Sequence, residues 1–342
     1  MRSTVEKAFV LIQREGMMKS RIMRYATSML AAAVSLSTVN VYAEPDYPTK
    51  PVRLLVPFAP GGGADLIARL VAPRLSDRFG QPVVVDNRPT AAGTLAAELA
   101  ARATPDGHTL LVPTSNHVAN PSLYKINYDT INDFAPITQA VISPLVLVVH
   151  PSLPANNIPE FIAYAKANPD KLNYGAAGAG GPPHLAGELL KMMTGIKMTP
   201  IVYKGIGPAV IATLGNEVQL TFVNIFVIQP HVRGGRLRAL GITGTKRSES
   251  APDWPTIAES GLPGYEASIW FGFLAPAKTP KAVIARLHRE ITAILQMPEA
   301  RQAIVAQGGD PVASTPEAFD RVIRDDVERI AKLVKTAGIR AD

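Results

Sequence analysis

The sequence contains no cysteine, and this absence excludes several kinds of chemistry. Disulfides, thiolate metal ligands, a cysteine nucleophile and a lipid-modified cysteine anchor all require a thiol. Aromatic residues are few, at 6%, whereas 30 prolines and 26 glycines indicate many short connections rather than a long helical bundle. The length of 342 residues, 47% of them hydrophobic, predicts two lobes of α/β type.

Basic residues outnumber acidic ones by 35 to 28, but most of the excess lies near the N-terminus. Residues 1–43 hold six basic and two acidic residues, and removing that net +4 from the total of +7 leaves +3 for the rest. Because the basic charge belongs largely to a short leading segment, the sequence predicts no nucleic-acid partner.

That leading segment is typical of a secretory signal peptide. From Met18 it has a basic start, MKSRIMRYA, then an apolar run, TSMLAAAVSLSTV, and then Val41–Ala43, with small residues where a signal peptidase requires them. We expect cleavage after Ala43 and a periplasmic mature protein. We also expect a monomer that is not embedded in the membrane, because no later stretch approaches the roughly 20 apolar residues of a membrane helix. Residues 1–17 match no targeting pattern, so we expect translation to start at Met17 or Met18.

Buried strands alternate with amphipathic helices along the mature chain. Val52–Val56 is an apolar run typical of a strand, and Asp65–Leu75 has helical spacing, although Pro73 predicts a kink there. The alternation recurs after Leu145–Val149, and three amphipathic helices end the chain. This pattern predicts an α/β protein with a parallel sheet.

Each half of the chain has a glycine-rich loop between a strand and a helix, LLVPFAPGGGADLIAR at 54–69 and LNYGAAGAGGPPHLAGELL at 172–190. Glycine lets the backbone approach a ligand closely, and the first amides of the following helix are unpaired and partly positive. The two loops therefore predict two rows of free amides that face a small anion across a cleft. The alternative is that each loop is only a tight connection.

The sequence offers little for catalysis. Neither glycine loop has the GxGxxG dinucleotide pattern or the GK[ST] ending of a triphosphate-binding loop, and no GxSxG nucleophile turn occurs. The six histidines form no HExxH or other paired metal spacing. We expect no catalytic residue, no metal and no cofactor.

Several polar residues have both a ligand-binding and a structural interpretation. Asp65 either contacts a ligand amine or, as a carboxylate in the first helical turn, caps backbone N–H groups, and capping is favoured. His117 and His184 either line a cleft or are hydrogen-bonded within the fold. Ser115 follows a strand and either binds a polar ligand or turns the chain. Lys204 either attracts a carboxylate or is solvated.

Longer motifs connect the chain to a known family. YPTKPVRLLVPFAPGGGADLIARLVAPRLSDRFGQPVVVDNRP, PDGHTLL, NPSLY, GELLKMMTG, VYKGIGPAV, RGGRLRALGIT, PTIAESGLPGYE and WFGFLAPAKTP occur in that order. Together they closely resemble the Bug-type receptors, the periplasmic solute-binding proteins of tripartite tricarboxylate transporters, from about Tyr47 to Ile339. The resemblance implies a two-lobed periplasmic-binding-protein (Venus flytrap) fold. Each lobe would be a mixed sheet flanked by helices, and the lobes would close on a small organic carboxylate.

The resemblance also implies which residues grip the ligand. Matched motif by motif, they come from the two glycine loops and from the ends of later strands. The first-lobe contacts are Phe58, Ala59, Gly61, Gly62, Gly63, Asp65 and Ser115. The second-lobe contacts are Gly178, Ala179, Gly180, Gly181, His184, Lys204 and Asn224.

The chain departs from its relatives in the second glycine loop. Ala176, Ala179 and Gly181 stand where relatives often have Ser, Asn and Thr, and Val223 stands where an aspartate is common. These changes predict a pocket that is more apolar than average and relies on backbone amides. Aromatic or longer aliphatic carboxylates are then favoured over hydroxy-rich ones such as citrate, unless binding has been lost altogether.

The resemblance places lobe 1 at residues 44–143 and 271–342 and lobe 2 at residues 144–270. The crossings near Ser143 and Trp270 would form a two-strand hinge, and Phe271 beside them is either a cleft wall or a core aromatic. The partner is either the membrane subunits of a transporter or a sensor kinase for which the protein is a soluble co-receptor. A secreted α/β hydrolase or isomerase is the rival enzyme interpretation, and it lacks a recognisable nucleophile and base.

Overall fold

Two β-sheets form the framework of the chain, which the computed structural model describes at residues 47–90, 93–203 and 205–340. The predicted signal segment 1–43 lies outside the described residues. The strands of the first sheet are β1 (Val52–Val56), β2 (Val83–Asn87), β3 (Thr109–Leu111), β4 (Phe134–Ser143), β10 (Ile269–Pro276) and β11 (Asp310–Pro311). The strands of the second sheet are β5 (Leu145–Val149), β6 (Asn173–Ala177), β7 (Thr199–Tyr203), β8 (Leu220–Asn224) and β9 (Arg238–Ile242).

Helices follow most of these strands. In the first half of the described chain they are α1 (Gly63–Phe79), α2 (Thr94–Ala101), α3 (Asn116–Leu123), α4 (Ile158–Ala167) and α5 (Pro182–Thr194). In the second half they are α6 (Ile206–Leu214), α7 (Ile225–Arg233), α8 (Lys281–Leu295), α9 (Pro298–Ala306) and α10 (Pro316–Ala337). None of the helices in the described ranges is long and apolar enough to cross a bilayer.

Both sheets are mixed. The first has the order β11-β4-β10-β3-β1-β2, with β1 parallel to β2 and β3 and with β10 antiparallel to β4. The second has the order β7-β6-β8-β5-β9, with β6 parallel to β7 and β8 and with β5 antiparallel to β8 and β9. The parallel sheet expected from the alternation of strands and helices therefore holds only for part of each sheet. Helical crossovers favour parallel pairing, but β4 runs into β5 through Pro144 alone.

The chain passes between the sheets at two places. It leaves the first sheet at Ser143, enters the second at Leu145, and returns at Ile269. Each sheet has its own buried apolar clusters, and this confirms the predicted two-lobed α/β architecture. The long helix α10 contacts both, because Phe319 packs in a cluster of the first sheet and Leu333 in a cluster of the second.

Where the chain returns to the first sheet at the start of β10, polar contacts hold it against α10. The Trp270 indole donates to Asp326 at 2.9 Å, and Arg329 pairs with the same carboxylate at 2.6 Å. Arg329 also donates to the backbone carbonyl of Glu266 at 2.6 Å. The start of β10 is thereby tied to the C-terminal helix by both apolar and charged groups.

The predicted elements are found with two differences. Helix α1 includes the exposed Pro73 and continues to Phe79, beyond the predicted end at Leu75. The sequence pattern did not predict α3 or the long strand β4. In α3 the apolar positions are few and Pro121 interrupts them, so helical periodicity is weak there.

Candidate functional site

The loop between β1 and α1 presents three exposed glycines, Gly61–Gly63, at the carboxyl end of a buried strand. Gly61 has φ of +89°, a conformation that favours glycine. At Gly63, a β-carbon would lie 2.5 Å from the ring of Phe271, so glycine is required for this close approach. The amides of Gly62 and Gly63 have no hydrogen-bond partner in the described part of the chain, and α1 has no side-chain cap. They are free donors at the positive end of a helix.

Asp65 holds this loop in shape. Its buried carboxylate accepts hydrogen bonds from the Gly61 amide at 2.9 Å, from Arg69 Nε at 2.9 Å and from Asn87 Nδ2 at 3.0 Å. Burial alone would raise the pKa of Asp65, but these hydrogen bonds outweigh burial and hold the pKa below its usual value. The Asn87 amide also donates to the Phe58 carbonyl at 3.0 Å. Protein donors therefore already occupy the Asp65 carboxylate, as expected of a structural carboxylate rather than a group that contacts ligand.

A cavity of about 470 Å³ lies beside the three glycines. Both lobes contribute to its wall, since Gly61–Gly63 belong to the first lobe, whereas Asn224 ends β8 of the second and Phe226 lies in the helix that follows. Asn224 Nδ2 donates to Ser143 Oγ at 3.2 Å, and Ser143 Oγ donates to the Gly308 carbonyl at 3.3 Å. The remaining lining residues are Leu66, Ile67, Leu70, Val141, Ile269, Phe271, Ala303, Ile304, Gln307 and Gly309.

Of the residues expected to bind ligand, the cavity brings together Gly61, Gly62, Gly63 and Asn224. The sequence reasoning did not single out Phe226, although its side chain is 46% exposed in this wall. Phe271, left open as cleft wall or core, is both, because its ring lines the cavity and also packs in the core of the first lobe.

The second glycine loop does not present a row of free amides, and that expectation is wrong. The Gly178 amide donates to the Tyr203 carbonyl, the Gly181 amide to the Gly178 carbonyl, and the Gly180 amide to His184 Nδ1 at 3.0 Å. Helix α5 begins with two prolines, which have no amide hydrogen. In the described part of this loop, only the amides of Ala179 and His184 have no such partner.

His184 is a structural residue of the second loop. Its side chain is buried, and burial lowers its pKa, so the ring is neutral and Nδ1 accepts the Gly180 amide. Glu188, one helical turn later, accepts from Tyr174 at 2.7 Å and pairs with Lys191 at 2.8 Å. The hydrogen-bonded interpretation of His184 fits these contacts.

The second loop lies against the first lobe at a different place from the large cavity. A β-carbon at Gly180 would lie 2.4 Å from Leu123 of α3, and Gly180 and Ser115 line a separate cavity of about 40 Å³. The Ser115 amide donates to the Trp270 carbonyl at 3.0 Å. Ala59 is exposed beside the first loop, Phe58 is half-buried, and Lys204 lies outside the described residues.

No group of three or more His, Cys, Asp or Glu side chains that could hold a metal ion occurs among the described residues. His117, one of the histidines considered from the sequence, is buried within the first lobe. Its ring stacks on Tyr128 at 5.6 Å and meets the edge of Phe134 at 4.9 Å between centroids. Its Nε2 atom has no hydrogen-bond partner within the described ranges. Burial lowers the pKa of His117 from its ordinary 6.5 to about 4.

This lowered pKa predicts a specific acid sensitivity. The stabilising effect of a neutral His117 is fully present above pH 6.5 and is lost as the pH falls toward 4, because the unfolded chain binds the proton first. Between pH 6.5 and pH 5 the free energy of unfolding is expected to fall by about 1.5 kcal/mol on this account. Urea unfolding at pH 6.5 and at pH 5 measures this change in the free energy of unfolding.

The variant His117→Phe is expected to remove that part of the pH dependence, since it fills the same aromatic site with no titrating group. His150→Phe is the control, because His150 is half-buried and its ring hydrogen-bonds to nearby Ser152. An unchanged pH dependence in His117→Phe would contradict the assignment.

The chain is similar to a known protein family and to individual members of it. Residues 67–339 match the family model described as "Tripartite tricarboxylate transporter family receptor". The chain is similar to the protein BugT of Bordetella pertussis, with 37% identity over 318 residues that cover 92% of this chain and 95% of BugT.

Two solved structures show the same fold. One is a protein from R. palustris solved with adipate, with a TM-score of 0.72 and 36% identity, covering 86% of this chain and 99% of the other. The other is MatC from Rhodopseudomonas palustris with bound malate, with a TM-score of 0.68 and 31% identity, covering 84% of this chain and 100% of MatC.

Proposed function

Because the chain belongs to the receptor family of the tripartite tricarboxylate transporters, whose members are solute-binding proteins, we propose that it captures a small organic carboxylate in the periplasm. In this proposal the loaded receptor delivers the acid to the membrane subunits of a transporter. The adipate and malate held by two structural relatives support a carboxylate as ligand.

The observation that carries the proposal is the pair of free amides at Gly62 and Gly63. They are exposed, lie at the positive end of α1 and border a cavity of about 470 Å³. A carboxylate oxygen is a suitable acceptor for such amides, since charge-assisted hydrogen bonds are stronger than neutral ones. Asp65 is already occupied by Gly61, Arg69 and Asn87, so its negative charge is balanced locally and does not cancel the anion site.

Capture would work through closure of the lobes. A ligand that contacts Gly62 on one lobe and Asn224 or Phe226 on the other binds better to a closed form than to an open one, and it therefore shifts the population toward closure. The two connections near Ser143 and Trp270 are the proposed hinge between residues 44–143 with 271–342 and residues 144–270. Membrane subunits that recognise the closed form would then distinguish loaded from empty receptor.

A thermal-shift screen of the chain starting at Glu44 tests the proposal. Mono- and dicarboxylates are compared with the alcohols or methyl esters of the same carbon skeletons. An acid present at 100 times its Kd is expected to add about 2.7 kcal/mol to the free energy of unfolding and to raise Tm, while its uncharged analogue has no effect. A panel in which no acid raises Tm would contradict carboxylate capture.

The transport role needs a cellular measurement. Cells without this protein are expected to lose uptake of the acid that the screen identifies, and expression of the wild-type chain restores it. Retained uptake together with a lost transcriptional response to the acid would contradict transport and favour the sensor-kinase co-receptor role.

A further inference from the structure

Helix α9 and the short strand after it form part of the cavity wall in the first lobe. Ile304 and Gln307 of α9 line the cavity of about 470 Å³, as does Gly309 between α9 and β11. Strand β11 then pairs with β4 beside the crossing at Ser143. We call residues 298–311 the α9–β11 segment. Contacts between this segment and the second lobe therefore fix one wall of the cavity relative to the other.

A buried carboxylate on the α9–β11 segment accepts two hydrogen bonds from the second lobe. Asp310 Oδ1 accepts from Ser248 Oγ at 2.9 Å and from the Glu249 amide at 3.0 Å. Asp310 is only 8% exposed, and burial raises its pKa above the usual value although both donors lower it. The turn that carries these donors belongs to the second lobe, because the Ala251 amide donates to the Ser248 carbonyl and Ala251 packs in the apolar cluster of β5 and β8.

Two further contacts join the α9–β11 segment to the second lobe. Arg301 pairs with Glu249 at 2.9 Å, but both side chains are well exposed, so this ion pair contributes little. At Gly308, a β-carbon would lie 3.2 Å from the Phe226 amide nitrogen, so the end of α9 lies directly against the start of α7. The hydrogen bonds to Asp310 add a buried polar contact to this packing, and hydrogen bonds to a charged group contribute more than an exposed ion pair does.

We propose that Asp310, Ser248 and Glu249 form a latch that holds the two lobes in the arrangement that surrounds the cavity. Asp310 is not among the cavity's described lining residues, so it acts on a ligand only through the position of the α9–β11 segment. Separation of the lobes breaks both hydrogen bonds, and the latch therefore raises the fraction of molecules whose two lobes can contact a ligand at once. The proposal rests on the proposed lobe closure and adds the residues that stabilise it.

Inter-label distances test the latch without any ligand. Because the sequence has no cysteine, Ala163→Cys on α4 and Ala285→Cys on α8, both exposed, can carry one spin label on each lobe. Electron spin resonance then gives the distribution of distances between the lobes. Asp310→Ala is expected to add a second population of distances that wild type lacks. A merely structural role for Asp310 would lower Tm without adding that population.

Asp310→Asn is the conservative control, because its side-chain oxygen can still accept from Ser248 and Glu249. It is expected to keep the wild-type distance distribution. Ser248→Ala removes one of the two donors, and it is expected to give a smaller second population than Asp310→Ala. This milder variant tests the latch if Asp310→Ala does not fold.

Titration with adipate and with malate, the acids of the two structural relatives, tests the effect on binding. The apparent Kd equals the intrinsic Kd divided by the fraction of binding-competent molecules, so loss of the latch weakens every ligand by one common factor. Asp310→Ala is expected to raise Kd about tenfold for each acid that binds, whereas Asp310→Asn stays within about threefold of wild type.

The outcomes separate the latch from the proposed function. Wild-type distances in both Asp310→Ala and Ser248→Ala, equal effects of Asp310→Ala and Asp310→Asn, or a loss of affinity that differs between the two acids would overturn the latch and leave carboxylate capture standing. Failure of wild type to bind any acid would count against carboxylate capture, and the inter-label distances would still decide the latch.

Discussion

Replacing Gly62 by proline is expected to raise the Kd for the bound carboxylate about 10- to 100-fold, which corresponds to the loss of one hydrogen bond to a charged group. Proline removes the amide hydrogen but fits the backbone, since Gly62 has φ of −78° and ψ of 165°. A β-carbon at this position comes no closer than 3.6 Å to the Ala59 carbonyl oxygen, an ordinary contact. Isothermal titration with the best acid from the screen measures the change.

Gly62→Ala is the control for this experiment. It adds the β-carbon but keeps the amide hydrogen, so its Kd is expected to stay within about threefold of wild type. Equal losses in the alanine and proline variants would show that side-chain volume, and not the amide, determines affinity.

Replacing Asp65 by asparagine is expected to lower the free energy of unfolding by about 2–4 kcal/mol and to weaken carboxylate binding more than tenfold. The carboxylate accepts from Gly61, Arg69 and Asn87, and an asparagine side chain has to turn its amide group toward one of these donors. The glycine loop then loses the contact that fixes Gly61. Urea unfolding and titration of the same acid measure the two effects.

Asp77→Asn is the matched control, because Asp77 lies on the same helix α1 and is exposed.

The pH dependence of stability is a second test of the structural role of Asp65. The pKa of Asp65 is held below its usual value of 3.8, so its stabilising effect is fully present above that value and disappears only as the pH falls further. An Asp65→Asn protein as stable as wild type at neutral pH would contradict a structural role for the carboxylate.

The sequence was informative about the first glycine loop because local rules decide its structure. Three glycines between an apolar strand and a helical pattern predict exposed amides at the helix N-terminus, and the structure has them at Gly62 and Gly63. The capping interpretation of Asp65 holds only for the Gly61 amide, which precedes the helix, because α1 itself has no side-chain cap.

Local sequence rules do not decide which amides of the second glycine loop are free. Its glycines looked equivalent in sequence, but the Gly178 amide is taken by the Tyr203 carbonyl of a neighbouring strand, a contact set by sheet register. The His184 acceptor and the two prolines of α5 remove further donors. Sequence spacing alone could place the loop but could not say which of its amides were occupied.

The cavity of about 470 Å³ depends on contacts that no sequence pattern contains. Leu66, Phe226 and Ile304 are far apart in the chain and meet only because the two sheets and α9 surround one cavity. The departures in the second loop predicted a more apolar pocket, and the structure places apolar residues elsewhere, in the wall between α1, α7 and α9. Tertiary packing therefore determines which side chains surround the cavity.

Nitrogen-15 NMR shows whether the amides of Gly62 and Gly63 receive the carboxylate. During titration with an acid that binds saturably, the amide proton resonances of Gly62 and Gly63 are expected to move downfield, as they do when an amide donates to a charged acceptor. The Gly178, Gly180 and Gly181 amides, which already have partners, are expected to move less. Saturable binding that leaves the Gly62 and Gly63 resonances unchanged would contradict the account.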